Sequence, residues 1–141
     1  MIFTFTFEEL QALRAGARVV LNREIGGRST AVAAPPEVRV RVETLLGQID
    51  GGISLHTVAD QRRARAALDV IVDALLARMH EEIDLSHPAA EPAVAAYFEY
   101  AHARSVLHRI REIGDEMVAL IEVVTGAQPD DLVAETFEFP D

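Results

Sequence analysis

Two long segments in the second half of the chain carry apolar residues at helical spacing. The first, Thr57–Asp84, begins with a capping-box pattern at Thr57 and Asp60 and keeps one apolar face for about four turns. Its apolar stripe is Leu68, Ile71, Val72, Leu75, Leu76, Met79 and Ile83. The second, Pro92–Thr125, has the stripe Val106, Ile110, Ile113, Met117, Leu120, Ile121 and Val124. A short link containing Pro88 separates them, so the pattern predicts a long antiparallel helical hairpin.

The predicted length of these two helices bears on association. At about 1.5 Å per residue they would be about 40 and 50 Å long. A compact domain of 141 residues has a diameter of only roughly 30 Å. Part of each helix is therefore expected to project from the domain, or to be covered by a second subunit.

Two shorter helices are predicted in the first half of the chain. Thr6 and Glu9 form a capping-box pattern at the start of the first, which Gly26-Gly27 are expected to end. Pro36 suits the first position of the second helix. Its apolar residues keep to one helical face until Asp50-Gly51-Gly52, where we expect it to end.

Both ends of the chain alternate in the manner of strands. Residues 2–7 place Phe3, Phe5 and Phe7 on one side, and Thr136–Phe139 repeats the pattern before Pro140. These strands are expected to pair as a small two-stranded β-ribbon on the helices, or each to pair with a partner chain. The sequence thus predicts a mainly α, four-helix single domain over residues 1–141, dominated by the long hairpin.

The composition excludes several kinds of chemistry. The chain has no Cys, which rules out disulfides, thiolate catalysis and Cys-based zinc sites. All 13 basic residues are Arg, so no lysine is present to form a Schiff base. The net charge of −10 argues against nucleic-acid binding, because phosphates would be repelled. No apolar run approaches the ~18 residues of a membrane span, and the N-terminus lacks a signal-peptide pattern; we expect a cytoplasmic location.

One constellation suggests a metal site. Glu99-x-x-His102 places both side chains on one helical face, as in the carboxylate-bridged di-metal bundles. Glu82 lies on the apolar face of the preceding helix, near the same hairpin link. Together these three residues would give half of a site for Fe, Mn or Zn, completed by a second subunit. The competing interpretation is that they are solvated or paired with Arg78 and Arg104.

No catalytic motif accompanies these helices. The segment His80–His87 is rich in metal-ligand side chains but does not match HExxH. Gly26–Thr30 lacks the phosphate-loop pattern and a preceding strand. Ser54, Ser86 and Ser105 stand outside the sequence contexts of nucleophilic serines. The sequence therefore predicts no catalytic residue.

The favoured hypothesis is a non-enzymatic protein–protein interaction module without a cofactor. It would be a small acidic helical protein that forms a homo-oligomer and binds a protein partner, as an adaptor, an immunity-type or antitoxin-type inhibitor, or an assembly subunit. The alternative is a metal-binding helical bundle that uses Glu82, Glu99 and His102 at a dimer interface. A third hypothesis is a helical bundle that binds a ligand in an apolar pocket.

Overall fold

The computed structural model describes residues 1–22, 24–25, 28–29, 35–85 and 90–126. In chain order these ranges contain β1 (Ile2–Phe3), α1 (Phe7–Asn22), β2 (Glu24–Ile25), β3 (Arg28–Ser29), α2 (Pro36–Gln48), β4 (Ile53–Ser54), α3 (Val58–Leu85) and α4 (Glu91–Thr125). The predicted mainly α fold with four helices and a small antiparallel sheet is confirmed. None of these helices combines the length and the apolar character that crossing a membrane requires.

α3 and α4 form the predicted antiparallel hairpin, the most extensive helix–helix contact in the ranges described. Asp69 on α3 pairs with Arg111 on α4 at 2.8 Å, and Arg78 pairs with Glu99 at 2.9 Å. Because the residue numbers fall on α4 as they rise on α3, the two helices run in opposite directions. Both begin and end within one residue of their predicted bounds.

The α4 side of this contact is a seam of buried residues, which recur at spacings of three, four or seven apart from the adjacent pair Val106 and Leu107. They are Ala93, Ala96, Ala103, Val106, Leu107, Ile110, Gly114, Met117 and Ile121. Gly114 has no side chain at a point of close approach, because a Cβ atom there would overlap the buried amide of Gln61. That amide donates a 3.0 Å hydrogen bond to the Ile110 carbonyl, so one polar link crosses the seam.

Two residues of the predicted α4 stripe are not buried. Leu120 is 47% exposed and Val124 is 62% exposed. Ile121 packs with Val58, the first residue of α3, so the last turn of α4 has no α3 residue opposite it. A helical wheel identifies the apolar face of a helix, but it does not show where the neighbouring helix begins.

α1 packs against both helices of the hairpin. Its capping box is confirmed: a Glu9 oxygen accepts the Thr6 backbone N–H at 2.9 Å, and the Thr6 hydroxyl accepts the Glu9 N–H at 3.2 Å. Glu9 is only 6% exposed. Its other oxygen accepts a hydrogen bond from Arg109 of α4, whose guanidinium lies 4.9 Å from the centre of the Phe3 ring. Glu9 therefore both caps α1 and connects it to α4.

α2 lies against α1 and α3. Pro36 is its first residue, as predicted, and it ends at Gln48, just before Asp50-Gly51-Gly52. The apolar face buries Val42 and Leu45. α2 thus covers the part of α3 that lies farthest from the hairpin link.

The strands pair differently from the expectation for the chain ends. β1 pairs antiparallel with β4, with Ile2 opposite Ser54 and Phe3 opposite Ile53. The second strand of this ribbon is therefore in the α2–α3 connection, and the predicted strand Thr136–Phe139 lies outside the described residues. α1 ends at Asn22, earlier than predicted, and β2 pairs antiparallel with β3 on either side of Gly26-Gly27.

The capping box at the start of α3 is also confirmed. An Asp60 oxygen accepts the backbone N–H groups of His56 and Thr57, each at 3.1 Å, and the Thr57 hydroxyl accepts the Asp60 N–H at 3.1 Å. Burial acts to raise the Asp60 pKa. The hydrogen bonds from His56 and Thr57 and the Arg63 guanidinium outweigh burial, and they hold this pKa below its ordinary value of 3.8.

The close packing of α1 on α3 depends on Gly16. A Cβ atom at Gly16 would overlap Ile71 and would lie 3.1 Å from Leu75. Both of these side chains are fully buried, so neither has free space to move into.

Gly16→Ala should lower the free energy of unfolding by about 1–2 kcal/mol. Overpacking typically costs about 1–3 kcal/mol, and the better helix propensity of Ala returns only about 0.5–1. Gly47→Ala is the matched control, since its Cβ would meet nothing within 4 Å in exposed α2 surface, and it should stabilise by up to about 1 kcal/mol. Denaturant unfolding measures both; a Gly16→Ala protein as stable as Gly47→Ala would contradict the packing described.

Asp60→Asn should destabilise the protein at neutral pH by roughly 1 kcal/mol, because it removes the charge that Arg63 and two N–H groups stabilise. The folded-state pKa is lowered, so this stability is present above pH 3.8 and is lost as pH falls below it. Unfolding curves at pH 7 and pH 3 should show the difference from wild type shrinking. The exposed Asp73→Asn is the control, and an equal loss at both pH values would argue against the charge effect.

Candidate interaction surface at the hairpin tip

The end of the hairpin nearest its link projects beyond the other helices. We define the hairpin tip as residues 76–85 of α3 and 91–104 of α4. Leu75 is the last fully buried residue of α3, and every later residue of that helix is half-buried or exposed. Gly16, in the middle of α1, already lies against Ile71 and Leu75. The prediction that part of the hairpin projects therefore agrees with the burial pattern.

The inner face of the tip is built from small residues. Ala93, Ala96 and Ala103 are buried on the α4 seam. Their short side chains allow the helices to approach closely, but they remove little apolar surface from water. Half-buried Met79 and Ile83 supply the larger α3 side chains at this end. The tip is thus a modest interface compared with the middle of the hairpin.

The opposite face of α4 carries a second apolar stripe. We define the outer stripe as Val94, Tyr97, Phe98 and Ala101, which recur at i, i+3, i+4 and i+7. At 100° per residue this stripe points about 150° away from buried Ala96. Tyr97 is 53% exposed and Phe98 is 54% exposed. Their rings meet edge to face, with centroids 5.7 Å apart, so they present one continuous aromatic surface.

The tip is negatively charged. It contains five carboxylates, Glu81, Glu82, Asp84, Glu91 and Glu99, and two arginines, Arg78 and Arg104, which gives a formal charge of −3 with His neutral. Arg78 and Glu99 neutralise each other. Three of the other four carboxylates lie on α3, and two of these, Glu81 and Glu82, take part in interactions of their own. The tip as a whole would therefore attract a basic partner at long range, although Arg104 borders the outer stripe itself and lines a surface pocket with Tyr97 and Ala101.

The three residues of the predicted metal site all lie in the tip. Glu99 pairs with Arg78, as the competing interpretation anticipated. His102 is half-buried, and Glu82 is half-buried and takes part in a polar interaction of its own. Within the residues that the structure describes, no three His, Asp or Glu side chains are grouped closely enough to hold a metal ion.

A metal site built from Glu82, Glu99 and His102 would therefore need ligands from a second subunit. It would also need Glu99 to leave Arg78, because a guanidinium occupies its Oε2 atom. The site stays a prediction. Elemental analysis of protein purified without a histidine tag, compared with the Glu99→Ala and His102→Ala double variant, tests it.

The outer stripe is not among the features predicted from the sequence. The predicted apolar stripe of α4 starts at Val106 and leaves out the first turns of the helix. The spacing of Val94, Tyr97, Phe98 and Ala101 is nevertheless a readable signal, since it is the pattern of an amphipathic helix face. A helix that is apolar on two sides is normally covered on both of them.

Comparison of the chain with protein-family models, with curated protein sequences and with solved structures found no match. The chemistry of the tip itself is therefore the guide to function. That chemistry consists of exposed aromatic area, negative charge and a projecting helical shape.

Proposed function

We propose that the protein is a non-enzymatic protein–protein interaction module that uses the outer stripe to bind a protein partner with an apolar face and a basic rim. The observation that carries this proposal is the exposed aromatic pair Tyr97 and Phe98 on a projecting helix. Aromatic side chains are the most common anchors of protein interfaces. The stripe suits recognition of one helix face by a groove or by another helix.

The two rings leave a large apolar area in contact with water. An aromatic side chain buries roughly 150–250 Å² when fully covered, and about half of each ring is exposed. At about 25 cal/mol per Å², covering the remainder would contribute about 2 kcal/mol for each ring. The pair is therefore large enough to act as the energetic centre of an interface, with Val94 beside it.

The negative charge of the tip favours a basic partner. Carboxylates on the α3 end of the tip attract arginine and lysine side chains and repel another acidic surface. A basic partner would bind faster at low salt, since long-range attraction steers the encounter. Assembly into a homo-oligomer and a cytoplasmic location remain parts of the proposal.

Replacing the aromatic pair, as Tyr97→Ser with Phe98→Ser, should abolish partner capture. Protein coupled to a resin is used to capture binding proteins from the native cell, and bound proteins are identified by mass spectrometry. The matched control is Val123→Ser, which removes an apolar side chain that is 80% exposed at the other end of α4. A partner retained by wild type and the control, lost from the double variant and released by salt, would support the proposal.

Circular dichroism must show that all three proteins are equally helical, because a partly unfolded double variant would also lose binding. If every protein captured by wild type is captured equally by the folded double variant, the outer stripe is not the binding surface. If capture survives high salt unchanged, the proposed basic rim of the partner is wrong.

Self-association through the outer stripe should respond to salt in the opposite direction. Two acidic tips repel each other, so screening by salt should strengthen a homodimer formed there. Light scattering over a range of protein and salt concentrations measures this directly. A mass that stays that of a monomer at all concentrations would remove the self-association prediction, and a dimer that the Tyr97→Ser and Phe98→Ser double variant still forms would place it elsewhere.

A further inference from the structure

A cavity lies where α2, β4 and the start of α3 meet, far from the hairpin tip. Its volume is about 260 Å³. This is slightly below the ~300–1,000 Å³ of sites for drug-sized ligands, so it suits a smaller molecule. Each of the three elements contributes to its wall, through Thr44, Ile53 and Ala64 among others.

The inner wall of this cavity is apolar. Leu45 from α2, Ile53 from β4 and Ala64 from α3 all line it, and all three are buried members of the main core. Val40 extends this apolar wall toward solvent, where it is largely exposed. A short hydrocarbon chain placed here would exchange water for apolar contacts.

The mouth of the cavity has a net positive charge. Its charged lining residues are Arg41, Asp60 and Arg63. Asp60 is fully engaged: one oxygen accepts two backbone N–H groups and the other accepts Arg63. Arg41, in contrast, forms no hydrogen bond or ion pair with any residue that the structure describes. A guanidinium with no partner among the described residues therefore lines this cavity, in a protein whose net charge is −10.

Neutral hydrogen-bond donors also line the cavity. Gln48 lies two turns along α2 from Arg41, and Ser54 lies on β4 across the opening. Arg63 uses one of its terminal nitrogens on Asp60, so other N–H groups of that guanidinium remain to donate. A carboxylate at the mouth would meet donors from α2, β4 and α3, whereas an ammonium would meet an occupied Asp60.

We propose that this cavity binds a small monocarboxylate with a short apolar chain. The chain lies on Leu45, Ile53 and Ala64, and the carboxylate pairs with Arg41 at the mouth. The volume limits the chain to a short one, and the absence of an unpaired acid among the charged lining residues disfavours amines. This inference does not rest on the proposed function, because it uses the opposite end of α3 from the tip.

The test is a titration of the full ¹⁵N-labelled chain, followed by NMR, with hexanoate as the probe. Amide signals of α2, β4 and the start of α3 should shift and reach saturation, with a Kd on the order of a millimolar for so small a ligand. Hexylamine, with the same chain and the opposite charge, should bind at least about tenfold more weakly. Acetate, which lacks the chain, should also bind more weakly.

Arg41→Gln should weaken hexanoate binding roughly tenfold or more, because it removes a charge-assisted hydrogen bond. Arg39→Gln is the matched control: it lies on the same helix and is absent from the cavity wall, so binding should not change. Val40→Ser tests the apolar wall and should weaken hexanoate more than acetate.

Several results would overturn the proposal. They are hexylamine binding as tightly as hexanoate, shifts that stay linear without saturation, or an unchanged affinity in folded Arg41→Gln protein. Shifts confined to the hairpin tip would show that hexanoate binds there instead. A failure of partner capture by the tip would leave this result unaffected, so the two proposals can be judged separately.

Discussion

The contact between α3 and α4 fixes the positions of the other described elements. Buried residues of α4 recur mostly at coiled-coil spacing from Ala93 to Ile121, and this spacing keeps one face of the helix against α3 up to its last turn. Gly114 allows the backbones to come close, and the buried Gln61 amide bonds across at that point. A shift of the hairpin register would leave the buried Gln61 amide without its hydrogen bond, which costs free energy. This hydrogen bond therefore favours one register of the hairpin.

α1 and α2 cover only one part of this long hairpin. In the remaining part, the two helices bury apolar surface mainly against each other. Large aliphatic side chains form the seam where α1 covers it, around Leu75 and Ile110. At the tip the buried residues of the α4 seam are alanines: Ala93, Ala96 and Ala103. A two-helix arm with a small-residue seam buries little apolar area, so much of its stability depends on helix propensity, and the proposed partner would add to that stability by covering the outer stripe. Structure and proposed binding are thus linked through the same residues.

The features that could be predicted from sequence are those with local causes. Both capping boxes, at Thr6 and Thr57, and the bounds of the long helices follow from neighbouring residues alone. The pairing of β1 with β4 could not be predicted, since two-residue strands carry almost no pattern and meet only through the fold. In the candidate site, the sequence places Glu99 and His102 on one helical face, but it does not show that Glu99 pairs with Arg78, because this pair depends on the register of the hairpin. The cavity beside Arg41 could not be predicted, because its wall combines residues of α2, β4 and α3 that only the fold brings together.

The charges along α3 run against its dipole. Arg62, Arg63 and Arg65 lie near its N-terminus, while Glu81, Glu82 and Asp84 lie near its C-terminus, where negative charge is unfavourable by about 0.3–1 kcal/mol per residue. At the N-terminus the cost is offset, because Asp60 caps the helix and pairs with Arg63, and Asp69 lies 4.0 Å from Arg65. At the C-terminus, the positive charges of a basic partner would interact favourably with the carboxylates and with the last backbone carbonyls. A second acidic copy of the chain would lack this stabilisation, so a partner with a basic rim is favoured over it.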